Sequence, residues 1–229
     1  MMKLFKNIRY KIASLFLLFR IHGDVSGQMT ASGNFDPEIN YYRQVDTVGQ
    51  LPQNPILFIG SSSIKNWIKL DSAFVGYPIL NRGFGGSTFE DVINYADDVI
   101  LKYDPKQIVI YCGENDFAAV DTISPEIVFS RFVNLISVIR NKYTDVPIIY
   151  ISLKPSPSKI NMMHKIIAFN TMVAVYSAQQ SNITFANIYS RMLTPDGRPD
   201  TTYFYDDKLH MNEKGYGVWN EIVRPLLVE

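Results

Sequence analysis

The sequence predicts a single α/β domain built on a parallel sheet, and three observations carry that expectation. The chain has 229 residues and 47% hydrophobic content, enough for one domain with a sizeable core. From residue 55 onward, short β-rich apolar runs alternate with longer amphipathic stretches, the pattern of βαβ units. The first four apolar runs also end in glycine, small or hydrogen-bonding residues, and in an open parallel sheet ligands bind at those strand ends.

The strands are expected at 56–59, 78–80, 107–112, 147–152 and 183–186. Between the second and third, Ser87-Thr88-Phe89-Glu90 reads as a capping box opening a helix toward Lys102. Ser124-Pro125-Glu126 supplies a cap, a first-turn proline and an early acid for a helix ending near Tyr143. Residues 159–180 read as a third helix and residues 212–227 as the last. Residues 55–229 thus form the domain and 28–54 a lead-in, with no internal repeat, low-complexity tract or Gly/Ser linker.

Residues 1–27 read differently. Lys3, Lys6, Arg9 and Lys11 precede a short apolar run at 12–19, too short to span a bilayer comfortably but suited to a signal-peptide core. Val25-Ser26-Gly27 would leave Gln28 as the new N-terminus, and the reading then is export to a periplasmic or extracellular setting. The polar Arg20, His22 and Asp24 favour the alternative, a basic amphipathic helix on a membrane or on the domain of a cytoplasmic or membrane-associated protein.

Lys+Arg and Asp+Glu both number 22, so no net field draws the chain to nucleic acid or anionic lipid. The single cysteine, Cys112, excludes an intramolecular disulfide, and no Cys/His cluster suggests structural zinc. No GxxxxGK[ST] or GxGxxG element supports a nucleotide- or flavin-binding reading. Oligomeric state is not set by any of these features.

Chemistry gathers at the strand ends. The first run ends in Gly60-Ser61-Ser62-Ser63, the second in the glycine-rich segment 81–87, the third in Gly113-Glu114-Asn115-Asp116 and the fourth in Lys154-Pro155-Ser156-Pro157. Ser62 on a tight strand-to-helix turn is placed to act as a nucleophile, with its own N–H as an oxyanion donor. Taken alone, however, all three serines could simply cap the helix. A serine needs a base, and His210 lies three residues after Asp207, whose carboxylate can hold one ring nitrogen. The bland alternatives are a surface histidine and a turn carboxylate. With Asp206 they could also form a partial metal site, a weak case without a second ligand cluster. Gly86 and Asn115 are candidate oxyanion donors, against a tight turn and an Asx-turn. Trp67 and Lys154 are candidate substrate contacts, against core packing and a snorkelling surface lysine.

These residues together resemble the SGNH (GDSL-like) hydrolases over roughly residues 50–228. Phe58-Ile59-Gly60-Ser61-Ser62-Ser63 resembles the first block, with Ser62 as nucleophile. Residues 81–88 resemble the second, with Gly86 as the oxyanion glycine. Gly113-Glu114-Asn115-Asp116 is similar to the third, and Asp207-Lys208-Leu209-His210 to the fifth. One departure stands out, since Ser61 occupies the place of the aspartate in the usual Gly-Asp-Ser-Leu opening. The resemblance implies a three-layer α/β/α sandwich on a flavodoxin-like parallel five-stranded sheet, no metal or organic cofactor, and acyl-enzyme chemistry. Similarity to platelet-activating-factor acetylhydrolase-like and carbohydrate acetylesterase members implies short, above all acetyl, esters, those on carbohydrates included. The alternatives are a lysophospholipase or thioesterase on the same fold, or a catalytically inactive glycan-binding module.

Overall fold

The computed structural model describes residues 34–120 and 122–229. The segment read as a signal peptide or membrane-associated tail, and the start of the lead-in, lie outside the described residues.

Five strands form the sheet: β1 (Ile56–Gly60), β2 (Ile79–Gly83), β3 (Gln107–Tyr111), β4 (Ile148–Ile151) and β5 (Ile183–Ala186). Their order is β2-β1-β3-β4-β5 and every neighbouring pair is parallel. β1, β3 and β4 are buried along their whole length, which is why they read as unbroken apolar runs. The chain moves outward from β1 to β2 and then returns to β3. The strand order therefore reverses between β1 and β3, the place where an open sheet parts its loops and takes a ligand.

Helices cover both faces, making three layers. On one side, Phe58 of β1 packs on Trp67 and Phe74, both at 5.8 Å, and Tyr111 of β3 packs on Trp219 at 4.8 Å. That face carries α2 (Ser62–Lys65), α3 (Leu70–Ala73) and α8 (Glu213–Val223). On the other, Tyr150 of β4 meets Phe132 at 5.0 Å and Phe169 at 6.1 Å, under α6 (Pro125–Lys142) and α7 (Met163–Ala178). The register requires this split. Phe58 pairs with Val109, so Tyr111 shares its face, whereas Tyr150 pairs with Ile110 on the opposite side.

Three helices differ from the sequence expectation. The capping box lies one residue later: Thr88 caps α4 (Phe89–Asn94) and Asp91 closes the box. Ser87 is not free to cap, because its hydroxyl donates to the Phe84 carbonyl at 3.0 Å. α4 then passes into a π-helical turn over Asp97–Leu101. Residues 159–180 are two pieces, a 3₁₀ stretch over Pro157–Met162 and then α7, with Lys159 off helical geometry at φ −110°. α8 stops at Val223, and Pro225, lacking an N–H, allows only the short 3₁₀ turn Arg224–Leu226.

The lead-in contains a helix the sequence reading left unassigned, α1 (Asp36–Val48). Ile39 is fully buried and Phe35 packs edge-on against Phe84 at 5.0 Å. Tyr42 donates its hydroxyl to the Gly83 carbonyl, Asp46 holds Arg82, and Glu38 pairs with Lys65. α1 therefore backs β2 and the loop that follows it.

Candidate active site

At the tip of β1 the chain must turn against β3. Gly60 has φ +125°, and a Cβ there would lie 1.9 Å from the Tyr111 carbonyl oxygen, so no other residue fits. The Ser61 N–H donates to that same carbonyl at 3.0 Å. Ser62 then opens α2, a single helical turn, so what it offers an oxyanion is its own N–H and not the dipole of a long helix. At this first helical position the N–H has no intrahelical acceptor. Three serines compete for the nucleophile's place in the sequence, and burial separates them. Ser61 and Ser63 are each 2% exposed, whereas Ser62 is partly open. Ser63 turns its Oγ inward to Lys154, while Asn81 Nδ2 and the Tyr216 hydroxyl hold the Ile64 and Ser63 carbonyls at 2.8 and 3.0 Å.

After β2, Gly86 takes φ +81° with open space around its Cβ position, so the left-handed backbone is what asks for glycine. Asn115 stands second in α5 (Glu114–Ala119), and its amide donates to the Ser87 carbonyl at 3.0 Å. A side-chain amide has two N–H donors, so one ties Asn115 to the Gly86 loop and the other remains for a ligand.

His210 lies in the loop before α8, closed by the antiparallel bridge of Phe204 with Met211. Asp207 Oδ1 accepts the Leu209 and His210 N–H groups, both at 2.9 Å, and Oδ2 meets His210 Nδ1 at 2.6 Å. Burial works to raise the Asp207 pKa, but these donors outweigh it and hold the carboxyl down to about 2. Nδ1 is engaged, so Nε2 is the open ring nitrogen. Among the described residues no hydrogen bond joins Nε2 to Ser62 Oγ; catalytic contacts of this kind commonly tighten only around substrate. Three ties bring the loop to the sheet edge: Tyr216 to Ser63, Lys69 to Glu213 at 2.7 Å, and the Ser158 N–H to the Lys208 carbonyl at 3.0 Å.

Ser62, Gly86, Asn115, Asp207 and His210 thus lie on elements meeting at one edge. The two expected substrate contacts are instead turned into the interior. Lys154 is 1% exposed, because it follows β4 inward to pair with Glu114. Trp67 is 2% exposed, with its ring stacked on Tyr216 at 5.2 Å and edge-on to Trp219. Cys112 is buried, which pushes its thiol pKa up.

The sequence reading missed the roles of Glu114 and Asp116, which flank Asn115. Asp116 is fully buried, accepts the Phe89 N–H at 3.1 Å and pairs with Arg131 at 3.0 Å. Only half of the signal was in the sequence: a carboxylate immediately after a buried strand must find a cation or donors, but the sequence does not say which residue supplies them. Among the described residues no group of three or more His, Cys, Asp or Glu side chains is arranged to hold a metal ion.

No curated protein matches the chain. Solved structures do, on the fold. One described as a platelet activating factor from Streptococcus pneumonia superposes with a TM-score of 0.74 at 19% identity, covering 84% of this chain and 92% of the other. A GDSL-like lipase from Bacteroides thetaiotaomicron VPI-5482 gives 0.69 at 18% identity, covering 82% and 97%. A carbohydrate esterase family 3 protein from Talaromyces cellulolyticus gives 0.60 at 16% identity, covering 75% and 95%. The sequence profile of the GDSL-like lipase/acylhydrolase family matches residues 62–218, a span that includes Ser62, Gly86, Asn115, Asp207 and His210. The chain belongs to that family and is an ester-hydrolysing SGNH hydrolase.

Proposed function

We propose that the protein hydrolyses short-chain carboxylic esters, acetyl esters above all and those carried on carbohydrates in particular, through an acyl-enzyme on Ser62. The observation that carries this reading is the Asp207–His210 pair, in which both carboxylate oxygens are committed and the imidazole is held by Nδ1 at 2.6 Å. Nε2 of His210 takes the Ser62 proton as Oγ attacks the ester carbonyl carbon, and Asp207 stabilises the imidazolium that results. The oxyanion rests on the N–H groups of Ser62 and Gly86 and on the free N–H of the Asn115 amide. Each such donor contributes about 3 kcal/mol to the transition state. The tetrahedral species collapses, the alcohol leaves with the imidazolium proton, and water deprotonated by the same imidazole releases the acid.

The short-acyl preference is supported at two of the strand ends: Ser61 leads directly into α2 and Gly113 directly into α5, with no segment inserted at either to shelter a long alkyl tail. The likeness to a carbohydrate esterase supports the sugar carrier. A fluorophosphonate probe should label the wild type and not Ser62→Ala. No labelling of the wild type, as a silent glycan-binding module would give, or undiminished labelling of Ser62→Ala, rejects the mechanism. In a p-nitrophenyl series from acetate to decanoate, turnover should be highest at acetate and acetate should be released from acetylated sugars. A preference for decanoate would move the assignment to a lysophospholipase or thioesterase.

A further inference from the structure

Beneath the proposed nucleophile, three strand ends meet in one buried charged cluster. Lys154, past β4, and Glu114, past β3, are 1% and 5% exposed. Lys154 Nζ reaches Ser63 Oγ and the Tyr111 hydroxyl, both at 3.2 Å, and pairs with Glu114 Oε2. An ammonium has three N–H donors, and all three are used. Glu114 Oε2 also accepts the Tyr111 hydroxyl at 2.9 Å, and Oε1 accepts the Ser156 hydroxyl at 2.6 Å. Burial alone would raise the Glu114 pKa. The charge of Lys154 and the hydroxyl donors reverse this and hold it below the ordinary carboxylate value.

An ion pair buried this deeply is a poor source of stability, since apolar side chains of similar volume do as well or better. Its value here is geometric. Ser63 is the neighbour of Ser62, and Glu114 is the neighbour of Asn115. Ser61, standing where the family's opening has aspartate, brings no carboxylate to the turn. We propose that Lys154 and Glu114 are positioning residues that hold Ser62 and Asn115 in mutual register, linking the nucleophile to its oxyanion donor through the interior. This assignment rests on the reading of Ser62 as nucleophile.

The test is the paired variant Glu114→Gln/Lys154→Met, which removes both charges and strands neither, with Ser63→Ala beside it. The paired variant should fold with a Tm near wild type. Its kcat and its rate of fluorophosphonate labelling should fall together by about 10- to 100-fold, the scale of a sub-ångström misplacement. KM should stay within about twofold, because ground-state binding is untouched. Ser63→Ala, losing one hydroxyl contact to a charged group, should lower kcat by about fivefold. A folded paired variant with kcat within about threefold of wild type overturns the proposal. If circular dichroism shows that variant unfolded, Ser63→Ala decides, and a wild-type rate there overturns it equally. Failure of the wild type itself to label would reject the nucleophile reading instead, a result distinct from either.

Discussion

Lys154–Glu114 and His210–Asp207 are both carboxylate pairs at the carboxyl edge of the same sheet, one inside it and one at its rim. The side chains of the first are 2% and 6% exposed, those of the second 34% and 47%. In the interior pair every donor of Lys154 has a protein acceptor, and its charge helps hold the Glu114 carboxyl below the ordinary carboxylate value. At the rim only one nitrogen of His210 is held. The other is not tied to Asp207, and in the proposed mechanism it is the atom that takes the Ser62 proton. On the two proposals, similar chemistry serves geometry in the buried pair and proton transfer in the more exposed one.

The largest expected effect breaks the rim pair. His210→Ala should lower turnover of p-nitrophenyl acetate by about 10³-fold or more while circular dichroism stays unchanged. Asp207→Asn should cost less, about 10²-fold, because at an exposed site water and backbone can still orient the imidazole. Equal losses would show that the rim pair is as rigid a unit as the interior one. The pH profile sharpens the point. Asp207 is held down to about 2, so it stays ionised at any pH well above that, and kcat/KM should show no Asp207 limb above about pH 3.

The rim pair was legible in the sequence and the interior pair was not, for a physical reason. Asp207 and His210 are three residues apart in one turn, so local geometry alone brings them together. Lys154 and Glu114 are 40 positions apart and meet only because β3 and β4 are neighbours. The sequence marks both strand ends but does not say which way a long side chain turns, and a lysine after a strand reads as solvated. The five strands were legible because β1, β3 and β4 are covered on both faces and show as apolar runs. α1 was not, since Ile39 is its only fully enclosed residue and its hold on β2 comes from polar contacts of Tyr42 and Asp46. The sequence favours Ser62 over its neighbours by its place after the strand-terminal glycine, and the inward turn of Ser63, which the sequence does not show, agrees with that choice.

A third pair separates positioning from plain stability. Asp46 of α1 holds Arg82, whose guanidinium lies over the Tyr42 and Tyr103 rings at 4.9 and 5.1 Å, and accepts the Tyr103 hydroxyl at 2.6 Å. Its side chain is 10% exposed and that of Arg82 6%. Removing one partner leaves the other charge buried, so Asp46→Ala should destabilise the fold by about 3 kcal/mol in denaturant melts. Asp46 touches none of Ser62, Gly86, Asn115 or His210, so kcat at a temperature where the variant is folded should match wild type. A large kcat loss there would mean that α1 acts on the Gly86 loop as Lys154 acts on Ser62.

The smallest expected effect concerns Asp116, which lies between the two extremes. It is enclosed like Glu114, but its partner Arg131 is 19% exposed and shared with Glu90. Burial therefore prevails over Arg131 and the Phe89 N–H, and the carboxyl is pushed up from 3.8 to about 6. The folded chain holds this proton more tightly than the unfolded chain, so protonation favours folding. That contribution is complete below the unfolded value of 3.8 and is lost as pH rises through about 6, opposite in sign to Asp207. Relative to wild type, Asp116→Asn should therefore gain Tm as pH rises from about 4 to about 7, because it cannot acquire the buried charge. A Tm difference that is flat across this range would show that Arg131 compensates Asp116 as fully as Lys154 compensates Glu114. Enclosure would then suffice to pair a carboxylate, and the partner's own exposure would not matter.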